Sequence, residues 1–502
     1  MIFLYSLFIY DLQLQTMFNK KLTKKLFLHF VFLTIFCKEL FAQTSSGLSL
    51  EDYLSQVQNQ NLTIEKSLKN ADSFELLKQK AQLISAIKLY GFSEYSFAEP
   101  NRALQFIRYK SVKNQNSRIG LSQNSSYGIN TNIYYSLNNT RYVDFNTNFT
   151  TNPLASKNYQ AIPVAELNIP LWQNFLGKST RARQDSALFE NEAQKLSAQA
   201  LSLNELVGAE KSFWLMVYAQ KAYEIQTRAL NSAQKILNYL AKKEQMNLAE
   251  KGDVLQAKAM VESKKLAVNQ AENFLKISAR DFNKRRNLQH DYVEEKLVSF
   301  DINKLINLKF DAQRKNDRLD IKSQKAMVEA SVAQAKIEEE SNKPALNLYA
   351  SYSLNQVENN RINALSNTFD RNAPNGKIGL ELSMPVNIGL SADIRRGARI
   401  KASAEKVSYR EKLLQQEIDW INLQQNLHDY QENLKLSNQV EQIQKIKLEN
   451  ERNLLSRGRT STYQILVFEQ EYSNSELTTQ QLAQKLHELI ADQKLYQSEL
   501  KN

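Results

Sequence analysis

Apolar residues follow two different rhythms along this chain, and the seven prolines mark where one gives way to the other. Residues 171–343 and 386–502 contain no proline. There, apolar positions recur in steps of three and four: Leu230, Ala233, Leu237 and Leu240 in the first stretch, Leu423, Leu427, Tyr430 and Leu434 in the second. That spacing gathers them on one face of a helix, and the absence of proline lets the helix continue. The pattern predicts helices over 173–246 and 253–288, about 317–341, and then over 391–457 and 463–498. At 1.5 Å per residue, each long stretch reaches on the order of 100 Å, with the side-chain spacing of coiled-coil packing. A bent bundle of ordinary size is the alternative. Its only candidate breaks are Gly177, Gly208 and Gly397, and isolated glycines are tolerated inside helices.

Around the prolines the period changes to two. Ile129, Thr131, Ile133, Tyr135 and Leu137 alternate with Asn130, Asn132, Tyr134, Ser136 and Asn138, and Ala165, Leu167, Ile169 and Leu171 alternate with Glu166 and Asn168. A second window repeats the pattern: Leu346, Leu348, Ala350, Tyr352 and Leu354, then Ile378, Leu380, Leu382, Met384 and Val386. This is the signature of strands with one apolar and one polar face, predicted over about 118–137, 162–171, 345–355 and 377–387. Strands of about ten residues suit a tilted passage through a bilayer, with Asn- and Ser-rich stretches 138–160 and 355–375 as outer loops. A small soluble antiparallel sheet would carry the same alternation.

The two windows are copies of each other. AELNIPLW at 165–172 falls on LELSMPVN at 380–387, which pairs Glu166 with Glu381, Pro170 with Pro385 and Arg181 with Arg396. The long helical stretches also end alike, in QMNLAEKGD and SRGRTSTYQ, with Asn247 equivalent to Gly458. Asn and Gly most readily take the left-handed conformation that closes a helix. The chain therefore divides into a first repeat, 43–295, and a second, 296–502, each a pair of strands followed by a helical hairpin.

Composition supports a helical protein, with only 12 Gly and 7 Pro in 502 residues. The net charge of +12 is diluted along the chain, without the dense basic and aromatic interleaving that grips nucleic acid. Residues 17–42 have the three-part build of a secretory signal: Lys20, Lys21, Lys24 and Lys25, an apolar run from Leu26 to Phe36, then Ala42. Residues 1–42 are thus expected to be a signal peptide, with Met17 as an alternative start. Cleavage there would remove the single cysteine, Cys37, and with it any thiol chemistry. No later segment has the roughly 20 apolar residues of a membrane helix, so any membrane insertion must be through strands. The histidines, His29, His290, His428 and His487, are scattered. With no Cys–His pair, GxSxG, HExxH or phosphate loop, the chain is expected to have no catalytic site, metal or cofactor.

With the LSLEDYLSQVQNQN opening at 48–61, the junctions at Pro170 and Pro385 and the two matched turns, the chain resembles the TolC family of outer-membrane efflux proteins over nearly its whole length. The resemblance implies a mainly α fold with a membrane β-barrel part. Each subunit would give four strands to a twelve-stranded barrel completed as a homotrimer, with its helices forming a periplasmic tunnel. It also implies a passive outer-membrane duct for efflux or type I secretion, opened by a periplasmic adaptor and an inner-membrane pump of RND or ABC type. The family's Gly-Leu or Gly-Thr adaptor-docking turns fall on Asn247–Leu248, which keeps the leucine but replaces the glycine, and on Gly458–Arg459, which keeps the glycine but carries a bulky cation. The periplasmic constriction falls on Asp253, Gln464 and Val467, where only Asp253 is acidic. Lys178, Arg181, Arg183, Arg395, Arg396 and Arg399 open the two long helices as a basic collar, unfavourable for a helix N-terminus unless partnered by lipid anions or a neighbouring subunit's carboxylates. The rival reading is an exported periplasmic coiled-coil scaffold, which leaves the strands unexplained.

Overall fold

The computed structural model describes residues 47–99, 109–145, 156–355, 357–369 and 374–496; the expected signal peptide lies outside the described residues. Three helices open the described residues: α1 (Leu50–Gln60), α2 (Leu62–Leu77) and α3 (Lys80–Leu83). Ser49 caps α1, accepting from the Asp52 amide. Asn61 closes α1 and starts α2, its carboxamide oxygen accepting from the Thr63 and Ile64 amides, so two of the amides a helix start leaves unpaired are satisfied by one side chain.

Four strands follow, β1 (Lys88–Ala98), β2 (Ser111–Asn124), β3 (Asn130–Val143) and β4 (Lys157–Pro170), leading into the long helix α4 (Lys178–Gln245) and its partner α5 (Lys251–Arg285). After the short α6 (Ile302–Ile306), helix α7 (Leu319–Ser341) returns the chain to the sheet as β5 (Ala345–Leu354), β6 (Val357–Glu358), α8 (Arg361–Ser366) and β7 (Pro374–Ser383). The second long helix, α9 (Ile388–Ser456), and α10 (Thr462–Gln493) complete the fold. The sheet runs β1-β2-β3-β4-β5-β7, antiparallel throughout, with β6 continuing along β4 beyond β5. The passages from α3 to β1, β4 to α4, α7 to β5 and β7 to α9 all lie at one end of this sheet, and α8 lies at the other.

Three sequence expectations are corrected here. The stretch 118–137 is two strands: Gly128 at φ +80° turns the chain between Ser125 and Ile129, and β2 and β3 run on either side. A further strand, β1, precedes them, so the described residues hold seven strands where four were expected. The expected outer loops are also smaller than 138–160 and 355–375, because β3 runs to Val143, β4 starts at Lys157, and α8 folds back over β4. The Thr368 hydroxyl in that segment bonds to Tyr135 Oη. At the other end, β7 stops at Ser383 and not at 387, since Pro385 has no amide to continue a ladder.

The helices pack around two main cores. In one, Tyr53, Val57 and Ile64 of α1 and α2 meet Phe213, Met216 and Val217 of α4 and Ala279 and Phe282 of α5. Tyr53 is fully enclosed. Its hydroxyl pairs with Ser212 Oγ at 3.0 Å and donates to the Phe282 carbonyl at 3.1 Å, and burial pushes its pKa up to about 12. The second core gathers Trp420, Leu427 and Leu434 of α9 with Ala483 and Leu486 of α10. Trp214 bridges the two, stacking on Phe300 and on His487, whose ring lies 3.6 Å away. The border expected at 295/296 therefore runs through packed structure, for Leu297 belongs to the first core and Phe300 touches both. Alanines at 209, 219, 222, 229 and 233 of α4 are buried, and side chains this small let neighbouring helix axes approach closely.

Candidate functional site

The register sorts every strand residue onto one of two faces. One rung joins Leu89, Leu121, Ile133, Ala165 and Tyr352 across five strands; the next rungs down join Leu167, Ala350 and Ile378, then Ile169, Leu348 and Leu380. Many of these side chains are exposed, Leu89 at 72% and Ile378 at 79%. The opposite face carries rungs such as Asn132, Glu166, Ser351 and Lys377. It is linked by polar contacts: Tyr134 Oη donates to Glu166 at 2.9 Å, Thr140 donates to Asn114 at 3.2 Å, and the Arg118 guanidinium lies over the Phe92 and Tyr134 rings. An exposed apolar face that size is unstable in water, whereas a barrel wall turns such a face to lipid and its polar face to a lumen. Tyr95 and Phe97 stand exposed at the far end of the apolar face, and Tyr127 and Trp172 near the helical end, as in aromatic girdles.

Below the sheet the chain passes into α4 through a tight junction. Pro170 is the buried last residue of β4, and Asn174, Leu176 and Gly177 all have positive φ. The Asn174 carboxamide accepts from the Ser179 and Thr180 amides at 2.8 and 3.0 Å and donates to Thr180 Oγ1. These turns are why α4 starts at Lys178 and not at 173. In the second repeat Asn387 caps α9 by accepting from the Leu390 amide, and Pro385 is exposed. Both caps escaped the sequence reading, although an Asn four or two residues after a Pro is a recognisable helix-start signal.

The basic collar sits at these helix starts. Arg181 donates to the Leu176 carbonyl at 3.0 Å and Arg395 to the Ser391 carbonyl at 3.2 Å. Lys178, Arg183, Arg396 and Arg399 are exposed, and none of the six forms a salt bridge among the described residues.

At the other end of the helices, both turns adopt the same geometry. Asn247 at φ +57° and Gly458 at φ +69° close α4 and α9. The following amides, Leu248 and Arg459, bond back to the Lys243 and Leu454 carbonyls at 2.8 and 2.9 Å, the double-bonded helix stop in which a left-handed residue satisfies the last carbonyls. Asn247, Leu248, Gly458 and Arg459 are all exposed. Asp253 is exposed in the first turn of α5, while Gln464 and Val467 are half-buried in α10. Leu240, Ala257 and Leu466 form a small core that brings the ends of the two hairpins together. Just above it Glu469 accepts from Ser232 of α4 and pairs with Arg452 of α9, and Lys264 of α5 is buried beside it. One turn further Arg228 of α4 pairs with Glu476 of α10. No sequence pattern could have marked these contacts, whose partners are up to 248 residues apart.

Two long helices also show apolar residues with nothing against them. Leu414, Ile418, Ile421, Leu436, Val440 and Ile443 of α9 are exposed, as are Leu255, Leu266 and Ile277 of α5. Helix α9 packs on α10 and α7, and α5 on α4. Among the described residues no helix is long and apolar enough to cross a membrane, and no cluster of His, Cys, Asp and Glu could hold a metal ion.

Solved outer-membrane channels share this arrangement. The outer-membrane channel OprN superposes with a TM-score of 0.63 at 14% identity, over 89% of each chain. The fold is that of the outer-membrane channels. The outer membrane protein VceC of Vibrio cholerae matches with a TM-score of 0.61 at 15% identity, over 88% of this chain and 94% of its own. The Campylobacter jejuni outer membrane channel CmeC matches with 0.61 at 14% identity, over 89% and 85%. No family model and no curated protein matches the sequence. At this level of identity the likeness lies in the fold, and it agrees with the resemblance carried by the paired junctions and turns of the sequence.

Proposed function

We propose that the chain is a subunit of a homotrimeric exit duct of the TolC type, set in the outer membrane by its sheet and reaching into the periplasm with its helices. It acts as a passive conduit and not as an enzyme. The observation that carries this reading is a sheet apolar on one face and polar on the other that continues without a linker into helices about 100 Å long. Among the described residues neither edge of that sheet is paired, since β1 and β7 end the strand order. Open edges cannot stand in lipid, and identical subunits placed head to tail close them in a ring. The unpartnered stripes on α9 and α5 support the same closure lower down.

In this duct residues 1–42 are the export signal, and the collar of Arg181 and Arg396 meets lipid anions or the next subunit's carboxylates at the inner surface of the membrane. The turns at Asn247–Leu248 and Gly458–Arg459 dock a periplasmic adaptor, which couples the duct to an inner-membrane pump of RND or ABC type. Asp253, Gln464 and Val467 line the constriction, with one carboxylate per subunit available to cations. Fractionation tests the reading: a heat-modifiable trimer in the outer-membrane fraction that conducts in planar bilayers is expected. A soluble periplasmic species would instead establish the scaffold. Block by trivalent cations should be weak and should vanish on Asp253→Ala; tight block indifferent to that change would remove Asp253 from the constriction.

A further inference from the structure

Resting on the trimeric reading, we infer that the β1–β2 hairpin is part of the barrel wall and that β1 of one copy pairs with β7 of the next, so that three subunits enclose a barrel of eighteen strands rather than twelve. The edge of β3 that a four-strand subunit would offer to its neighbour is already occupied. β2 pairs with β3 from Ser111↔Val143 to Asn124↔Asn130, and β1 pairs with β2 from Lys88↔Ser122 to Ala98↔Val112. Closure through β3 would require stripping off that whole ladder.

The hairpin also carries the features of a wall. Leu89, Ile119 and Leu121 prolong the apolar face, and Arg118 and Asn116 prolong the polar one. From Leu89 to the exposed ring of Phe97 a tilted strand rises about 22 Å, close to the height of a barrel's apolar band. Its base is fixed to the subunit. A Cβ on Gly177 would stand 1.9 Å from the Ser126 carbonyl oxygen, and one on Gly128 would stand 2.6 Å from Asn174 Nδ2. The turn between β2 and β3 is therefore pressed directly onto the junction that starts α4. Gln184 of α4 adds a hydrogen bond to Ser85 Oγ at 2.9 Å, beside β1.

Direction and height fit as well. β1 leaves the helical end and β7 returns to it, so neighbouring copies meet antiparallel. Followed across the sheet, the rung of Leu89 arrives at Gly376 on β7. Placing Leu89 level with Leu382 instead, so that the apolar belts align, staggers each subunit by about one residue per strand, the ratio that gives barrels a strand tilt of about 36°. Eighteen such strands make a wall about 34 Å across between backbones, against about 23 Å for twelve. The enclosed cross-section is roughly doubled.

Cysteine pairs test this in a chain whose sole cysteine, Cys37, lies in the signal. Leu89→Cys/Leu382→Cys and Thr131→Cys/Leu382→Cys proteins are purified as full chains in detergent, weighed by native mass spectrometry and treated with a short bismaleimide. Covalent dimers and trimers from the first pair and none from the second are expected, with eighteen strands resolved by electron cryomicroscopy of the unmodified protein. Cross-linking through Thr131, linking of neither pair in an intact trimer, or twelve strands would overturn the inference and leave the channel reading standing. A chain that is not trimeric would overturn the channel reading itself, and this inference with it.

Discussion

Replacing Gly177 by alanine sets a methyl group into space the chain already fills. Gly177 and Gly458 share a left-handed backbone, at φ +72° and +69°, so both substitutions carry the same conformational cost, roughly 1–2 kcal/mol. Their surroundings differ. At 177 the new carbon would lie 1.9 Å from the Ser126 oxygen and 2.6 Å from the Tyr127 Cα, both backbone atoms, while at 458 nothing lies within 4 Å. Displacing a packed backbone adds a further cost of about 1–3 kcal/mol, which brings Gly177→Ala to about 2–5 kcal/mol and leaves Gly458→Ala at its conformational cost alone. Hydrogen exchange reads the difference locally, because the Ser179 and Thr180 amides are held by Asn174 inside the same junction. Their exchange should accelerate at least tenfold in Gly177→Ala and stay unchanged in Gly458→Ala, with a lower temperature of oligomer dissociation only in the former. Equal effects of the two substitutions would refute the close-packing argument and reduce both glycines to backbone conformation.

His487 is held neutral to about pH 4 by burial, with Lys494 and Lys304 adding to the effect. Unfolded imidazole takes its proton near pH 6.5, so stability is full above that pH, falls as pH drops, and is lost by about pH 4. The loss is on the order of 3 kcal/mol, and His487→Phe should flatten the acid limb of a melting-temperature profile. Lys494 pairs with Glu210 at 2.6 Å, and burial raises the Glu210 carboxyl; Lys494→Met should cost about 3–5 kcal/mol by stranding that carboxylate, with Glu210→Gln recovering most of it, as urea melts would show. Leu434 is fully buried, and Leu434→Ala should cost about 2–5 kcal/mol in the same assay. Ile421 and Ile443 are exposed on α9; changing both to Gln should leave helical circular dichroism intact while shifting native mass spectra from trimer toward monomer. An unchanged trimer would remove that stripe from the subunit interface.

Much of this protein follows from local rules that a sequence states directly. Steps of three and four and the absence of proline are enough to call for α4 and α9, because helix hydrogen bonds are all local. Period-two alternation marked β3, β4, β5 and β7 for the same reason, and Asn247 and Gly458 announced themselves as the residues that tolerate a left-handed stop. β1 escaped, and β2 was recognised only from 118 and run together with β3, because their pattern is blurred. Gly91 and Ser93 interrupt the apolar face, while Tyr90 and Phe92 put aromatic rings on the polar one. What makes them strands is the ladder to β3, a tertiary fact. The same holds for the Gly177 contact with Ser126, the Trp214–His487 stack and the Glu469 cluster, each of which joins residues from separate parts of the chain. The sequence by itself determined the long helices, the strands β3, β4, β5 and β7, and the apolar faces of both. Only the tertiary structure decided how many strands each subunit brings and where its edges open, because strand pairing is a contact between distant residues that no local period records.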